Sequence, residues 1–500
     1  MLELYIEHRD AGVVRETNDM PEETRPLSAA TTAATGPSTA SPTASPTASP
    51  TVDAWPGRPT GLPRSVPPPS IPLRYLVASA LGLVACGVAL VWSRHFAVVN
   101  PTDDPVVGAA HFAMLATLSM GLLGALHQFI PVITQRPLRS VRLSRGTFLS
   151  WFAGSWLLPL GFITRHEVVV EAGGALAALA LVLLVTNVAP PLLVRPATTP
   201  VIGLRGAVVG FVVTACYGVV YVIDRRTVWF DLNGHVVLAH ASVGLLAWLG
   251  LAYVAVSEKL WPMFLLAHVP GRHRAGWLAV RALPLGVAAL SPGLLFAVPW
   301  LAWCGAAIVA IGLGAHLWSL FQHLRHRRRA ADLHMAYLVT SALWLLIGAT
   351  LAVSAALVFG DHHHEGVALI AAAVVAITGW LLVALVGHVH KVVPFIVWSA
   401  LRGRGIATHH GAPLLFADLY GHRVAIAIFA LVNGGLAAAC LGFATSSTAA
   451  LAIGGVLLAV TGIGTTANLS WAPLRLLYDA SHAVTREVDA SDSSARAPSA

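Results

Sequence analysis

Apolar and polar positions in this chain separate into long blocks. Apolar runs long enough to cross about 30 Å of hydrocarbon at roughly 1.5 Å per residue lie near 73–92, 107–130, 148–165, 171–193, 203–223, 236–258, 278–298, 301–322, 335–359, 366–390, 423–444 and 448–468. They predict twelve transmembrane helices joined by polar loops. Three of the runs close in the same way: an ionisable residue stands four positions before a proline, as His127 before Pro131, Glu258 before Pro262 and His390 before Pro394. The prolines are 131 and 132 residues apart. A period so long is no solenoid unit, and it predicts one larger bundle used three times. The expected fold is an all-α polytopic membrane bundle of about twelve helices in three pseudo-repeats of four.

The block pattern stops at both ends. Residues 1–70 are polar, with Thr/Ser/Ala/Pro repeats at 40–51 and a proline cluster at 67–72, and predict a disordered tail without the layout of a signal peptide. Residues 71–470 form the membrane domain, and 471–500 a second polar tail.

Composition agrees with the pattern: 56% of residues are hydrophobic and 11% charged, far from the balance of a soluble domain. The net charge of +8 gathers in alternate loops, notably at Arg136, Arg139, Arg142 and Arg145, at Arg325 and Arg327 to Arg329, and at Lys391, Arg402 and Arg404. The opposite loops hold most of the acids, among them Asp103, Asp104, Glu167, Glu171 and Asp224. The positive-inside rule then predicts both termini on the cytoplasmic side of a cell membrane. The charge is a topology and lipid signal, and no aromatic-interleaved basic patch suggests nucleic acid.

Histidine is the unusual residue, with 22 copies, several of them inside predicted spans where ionisable groups are costly and tend to mark function. His111 and His127 share the second span, 16 residues and about 24 Å apart, and must serve different sites. The sixth span has His235 and His240 at one end and Glu258 at the other. The tenth follows Asp361, three histidines and Glu365, and finishes with His388 and His390. A buried neutral imidazole suits heme iron or copper. The shared repeat position of His127, Glu258 and His390 suggests a polar cluster at one depth. His323 is expected to be solvated beside the basic loop, and Trp248, Trp261, Trp300 and Trp398 to form an aromatic belt. Cys86, Cys216, Cys304 and Cys440 lack CxxC spacing and read as small hydrophobes packed between helices.

With these residues in view, the chain resembles the catalytic subunit of the heme-copper oxidase superfamily, nearest to the nitric-oxide reductase large subunit and the NnrS-like heme/copper membrane proteins. The likeness rests on three sets of four helices and on the form His, apolar run, Gly-x-x-Gly, apolar run, Pro, met by His111 through Pro131 and more loosely by His240 through Pro262. His388-Val-His390 is similar to the family's His-x-His. The resemblance implies heme b, with copper as a further cofactor, His111, His240, His388 and His390 as cofactor ligands, and His111 facing a histidine of the tenth helix across a low-spin heme. It also implies a redox partner or cytochrome subunit and a diatomic gas such as nitric oxide. The segment 276–300, where the family carries adjacent copper-ligating histidines, contains none, so oxidase turnover is not expected. His127, Glu258 and His235 are further metal candidates. The other function class is a secondary transporter passing protons or metal along His127, Glu258 and His390, although such carriers usually show twofold repeats.

Overall fold

The computed structural model describes residues 67–470 apart from 231, 233, 271–273, 359–362, 404, 407, 410 and 411. The tails expected at 1–70 and 471–500 lie outside the described residues except for 67–70, as do Asp361, His362 and the side chains of His363 and His364.

Among the described residues twelve helices are long and apolar enough to cross a membrane: α1 Ser70–Ala97, α2 Asp104–Thr134, α3 Val141–Thr164, α4 Glu167–Leu192, α5 Thr199–Thr227, α6 Gly234–Leu265, α7 Arg274–Leu295, α8 Pro299–Arg325, α9 Leu333–Val358, α10 Glu365–Arg402, α11 His422–Ala444 and α12 Thr448–Ser470. The chain is an all-α, multi-pass membrane protein. A small hairpin, Thr408–His409 paired with Ala412–Pro413, interrupts the link to α11. Burial sorts the helices. The apolar windows of α2, α6 and α10 are each 61% buried, with α1 next at 56%, whereas α5 shows only 17%, so the second helix of each repeat lies at the centre of the bundle.

The prolines do not end the helices as the sequence pattern suggests. Pro131 and Pro262 sit in the last turn, and the chain leaves the helix at Gln135 and Leu266, both in the left-handed region. Pro394 is internal, and α10 runs on to Arg402. A proline in a final turn removes one hydrogen bond that the frayed end can lose at low cost.

The threefold repeat is written most clearly in the lipid-facing hairpins. Gly154 and Gly173 bring α3 onto α4, Gly286 and Gly305 bring α7 onto α8, and Gly435 and Gly454 bring α11 onto α12, each pair 19 residues apart. Eleven residues after the first glycine of each pair the chain turns through a left-handed residue: Arg165 (φ 56°), Ala297 (φ 51°) and Ser446 (φ 51°). A lipid bilayer supplies no hydrophobic drive between helices, so close backbone approach at small residues must hold such hairpins.

Two further repeat features lie at the centre. Phe112–Ser119 in α2 and Val243–Gly250 in α6 are π-helical, 131 residues apart. In each, an alanine (Ala116, Ala247) lies against a glycine of the preceding repeat helix, Gly82 of α1 and Gly210 of α5. The π segments meet where Trp248 Nε1 donates to Ser119 Oγ at 3.0 Å, and Gly250 gives room to Trp380 of α10. Trp248 and Trp261 are thus core residues, 2% and 0% exposed, and not part of an aromatic belt, whereas Trp300 is 69% exposed. Cys86 is buried, but Cys216 and Cys304 are exposed on the bundle's flank instead of packed between helices.

Candidate functional site

At the end of the bundle where α2 and α6 begin, the two helices bring His111 and His240 face to face. The ring centres are 6.4 Å apart with planes inclined by 24°. His111 donates from Nδ1 to the Val107 carbonyl at 2.8 Å, which fixes the tautomer and leaves Nε2 with its lone pair, the arrangement typical of a metal-bound imidazole. His240 Nδ1 is buried without a hydrogen-bond partner. The neighbouring hydroxyls are engaged elsewhere: Tyr221 donates to Val236 O at 2.7 Å, and Tyr217 shares a 2.9 Å hydrogen bond with Ser291. Phe162 stacks on His111 at 5.4 Å, and Tyr217 and Tyr221 flank His240 at 6.2 and 5.7 Å.

An imidazole nitrogen binds a first-row metal at about 2.0 Å, which puts two opposed imidazoles about 6 Å apart, centre to centre, when they share one ion. The His111–His240 pair has that separation. Phe162, Tyr217 and Tyr221 fill the space around the pair, and a macrocycle there needs them to move aside. His235 is not part of the pair: its Nδ1 is bonded to the Leu294 carbonyl of α7 at 2.9 Å.

The same end carries an ion-pair clamp. Arg225 at the end of α5 bonds Asp104 of α2 through two nitrogens, at 2.9 and 2.8 Å, and also holds Glu167 of α4. Arg165 pairs with Asp103 at 2.8 Å, and Arg226 with Glu171. The acids read from the sequence as a topology signal therefore also tie the first repeat to the second.

At the opposite end His127, Glu258 and His390 do occupy one repeat position, but they form no common cluster. Each is enclosed within its own repeat. His127 stacks on Tyr75 of α1 at 5.1 Å, and Tyr75 Oη donates to Ser144 O at 3.3 Å. His390 stacks on Tyr337 of α9 at 6.2 Å, and Tyr337 Oη donates to Ala425 O, again at 3.3 Å. In the middle repeat the first-helix position that the tyrosines hold against Gly124 and Gly387 is taken by Gly203, packed against Ala255. Glu258 there packs against Gly276 and accepts from Ser319 Oγ at 2.8 Å. A relay through the three residues has no continuity in these contacts.

His388 and His390 are two positions apart on a helix and point to opposite sides. His388 lies against His334 of α9 at 5.0 Å, Tyr253 at 5.9 Å and Phe264 at 6.1 Å. Neither His388 nor His390 is brought to His111. By repeat alignment His111 corresponds to a level 14 residues before His388 on α10, about 21 Å along the axis. The ligand pairing implied by the family resemblance therefore has no counterpart in this arrangement.

His334 and His316 were given no ligand role by sequence reasoning, and both are buried. His316 sits among Trp261 (4.8 Å), Tyr253 (5.5 Å) and Trp380 (5.7 Å) with its Nδ1 unpartnered. His323, expected to be solvated, is 1% exposed, and its Nδ1 donates to Ser319 O at 2.7 Å. Helix periodicity places His316 and His323 on one face, yet it cannot tell which helix covers that face. Among the described residues no group of three or more potential ligands converges on one point.

No protein-family model matches the chain, and no curated protein does.

Proposed function

We propose that this protein is a divergent member of the heme-copper oxidase-like group, of nitric-oxide reductase or NnrS-like kind, that holds copper or heme b through intramembrane histidines and uses it for redox chemistry or for binding or sensing a diatomic gas. The observation that carries the reading is the opposed His111–His240 pair at the head of two π-helical segments, inside a threefold repeat of four helices. π-Helical turns recur at functional sites, and here both lie directly beyond the proposed ligands. Bound copper or heme iron supplies a one-electron couple and a coordination position for a small gas.

The chain's own residues set the environment. Val107 orients the His111 ring through its carbonyl. Phe162, Tyr217 and Tyr221 wall the pair with aromatic surface, which disfavours a hydrated divalent ion and favours a softer one. The Arg225 clamp fixes the start of α2, which carries His111. In a bacterial inner membrane, with both termini cytoplasmic by the positive-inside rule, this site opens to the outer face. There it would meet a redox partner or cytochrome subunit.

The test is a reduced-minus-oxidised visible spectrum with iron and copper analysis of the detergent-purified protein. The expected result is bound copper or a b-type heme spectrum that His111→Ala removes and His235→Ala leaves intact. A colourless, metal-free protein from cells supplied with heme and copper sinks the proposal, as does an unchanged signal in His111→Ala.

A further inference from the structure

A second pair of histidines, separate from His111 and His240, lies in the half of the bundle toward Pro394, where α9 begins beside α10. His334 and His388 have ring centres 5.0 Å apart with planes at 79°. Both Nε2 atoms are buried and lack a hydrogen-bond partner. His388 donates from Nδ1 to Ala384 O at 2.7 Å, so its Nε2 carries a lone pair. Leaving two such atoms unpaired in an apolar interior costs on the order of 1–3 kcal/mol each. A ligand that accepts two nitrogen lone pairs would recover this. Two imidazoles that share one ion in line, with nitrogen–metal bonds of about 2.0 Å, have ring centres about 6 Å apart, so the rings must part by about 1 Å to seat a two-coordinate ion.

The surroundings select the ion. Phe264 faces His334 edge-on at 5.2 Å, and Tyr253 faces His388 in the same manner at 5.9 Å, so aromatic rings wall the pair. The fixed charges that act on His334 are Lys391, bonded to Asp332 at 2.7 Å, and Arg329, 3.5 Å from the same carboxylate. That group carries one net positive charge, which repels a divalent cation more than a monovalent one. Neutral imidazoles in a dry aromatic setting suit cuprous copper. His334 is the second residue of α9 and lies at the membrane face, next to the loop that an ion would cross.

We propose that His334 and His388 form a second metal site that takes one cuprous ion, independent of the His111–His240 pair. The experiment uses the full-length protein carrying His111→Ala and His240→Ala, titrated with copper(I) against a chromophoric chelator. Uptake of about one equivalent, lost when His334→Gln or His388→Gln is added, supports the site. Uptake unchanged by either substitution, or no uptake at all, overturns it. Copper X-ray absorption on the His111→Ala/His240→Ala background needs no change at the site itself: two imidazole nitrogens at about 2.0 Å support the assignment, and sulfur or oxygen ligation refutes it. Zinc should bind at least about tenfold more weakly, and tighter zinc binding rejects the choice of ion. A Soret band that His388→Gln removes would place a heme there instead and also overturn the proposal. Because the first pair is absent throughout, failure here leaves the reading of His111 and His240 untouched, and the reverse holds as well.

Discussion

Gly286→Ala tests whether the lipid-facing hairpins are held by backbone contact at the repeated glycines. A methyl group at Gly286 of α7 would stand 2.6 Å from Val309 N and 3.0 Å from Gly305 O of α8. That is about 0.8 Å short of an ordinary contact of 3.4 Å, and although Val309 Cγ2 at 2.8 Å could turn aside, the nearest atom is backbone and cannot. Overpacking of this kind costs about 1–3 kcal/mol, while alanine in place of a helical glycine returns roughly 0.5–1 kcal/mol. The net expectation is a loss of about 1–2 kcal/mol. Gly314→Ala is the internal control, because its methyl group meets nothing within 4 Å. It should be neutral or stabilise by the intrinsic roughly 0.5–1 kcal/mol. Gly435→Ala should fall between them, since its methyl group first meets the Leu458 side chain at 3.1 Å, which can shift. The assay is unfolding in mixed micelles of rising SDS fraction, followed by tryptophan fluorescence. Equal midpoints for Gly286→Ala and Gly314→Ala would refute the hairpin argument.

Three other outcomes follow from the same geometry. Tyr75→Phe and Tyr337→Phe each remove one repeat-equivalent hydrogen bond, from Tyr75 to Ser144 O and from Tyr337 to Ala425 O, and should each cost about 0.5–1.5 kcal/mol; a cost confined to one of them argues that the two repeats are not equivalent. Burial raises the Asp332 pKa, but the hydrogen bond and charge of Lys391, the Met335 amide and Arg329 outweigh it and hold the carboxyl below its ordinary value. Its stabilisation is then present above the unfolded value of about 3.9 and is lost as pH falls through the lower native value. Asp332→Asn should therefore lower the thermal midpoint at pH 7 and narrow the gap to wild type under strong acid; a gap independent of pH contradicts this. Trp248→Phe deletes the bond to Ser119 that joins the two π segments and should cost about 1 kcal/mol, read from the same micelle titration.

The twelve spans could be read from the sequence because a bilayer demands about 20 apolar residues per crossing, and loop chemistry interrupts them sharply. The repeat is legible through its prolines, yet its strongest mark, three glycine pairs at a spacing of 19 followed by a left-handed turn, does not stand out in the sequence. Glycine is common in membrane helices and means little until the partner helix is known. The π-helical segments were also hidden, since Phe112–Ser119 and Val243–Gly250 share no local composition that separates them from ordinary apolar helix. Only their offset of 131 residues, seen afterwards, links them.

The site was half legible for a related reason. Whereas the family resemblance implied a partner for His111 on the tenth helix, sequence position gives depth along a helix, which sets His111 level with His240. It gives no azimuth between helices. His127, Glu258 and His390 therefore looked like one cluster, while the fold divides them among three repeats, two with a tyrosine partner and one with a glycine in its place. That substitution has a physical consequence. Where Tyr75 and Tyr337 fill the first helix, the second-helix residue can be a histidine stacked on the phenol ring. Where Gly203 stands instead, packed against Ala255 and Val280, the second-helix residue is an acid that turns toward α7 and α8 and meets Ser319. The middle repeat thus directs its polar group toward the helix that also carries His316, and α9 and α10 close the other side with His334 and His388.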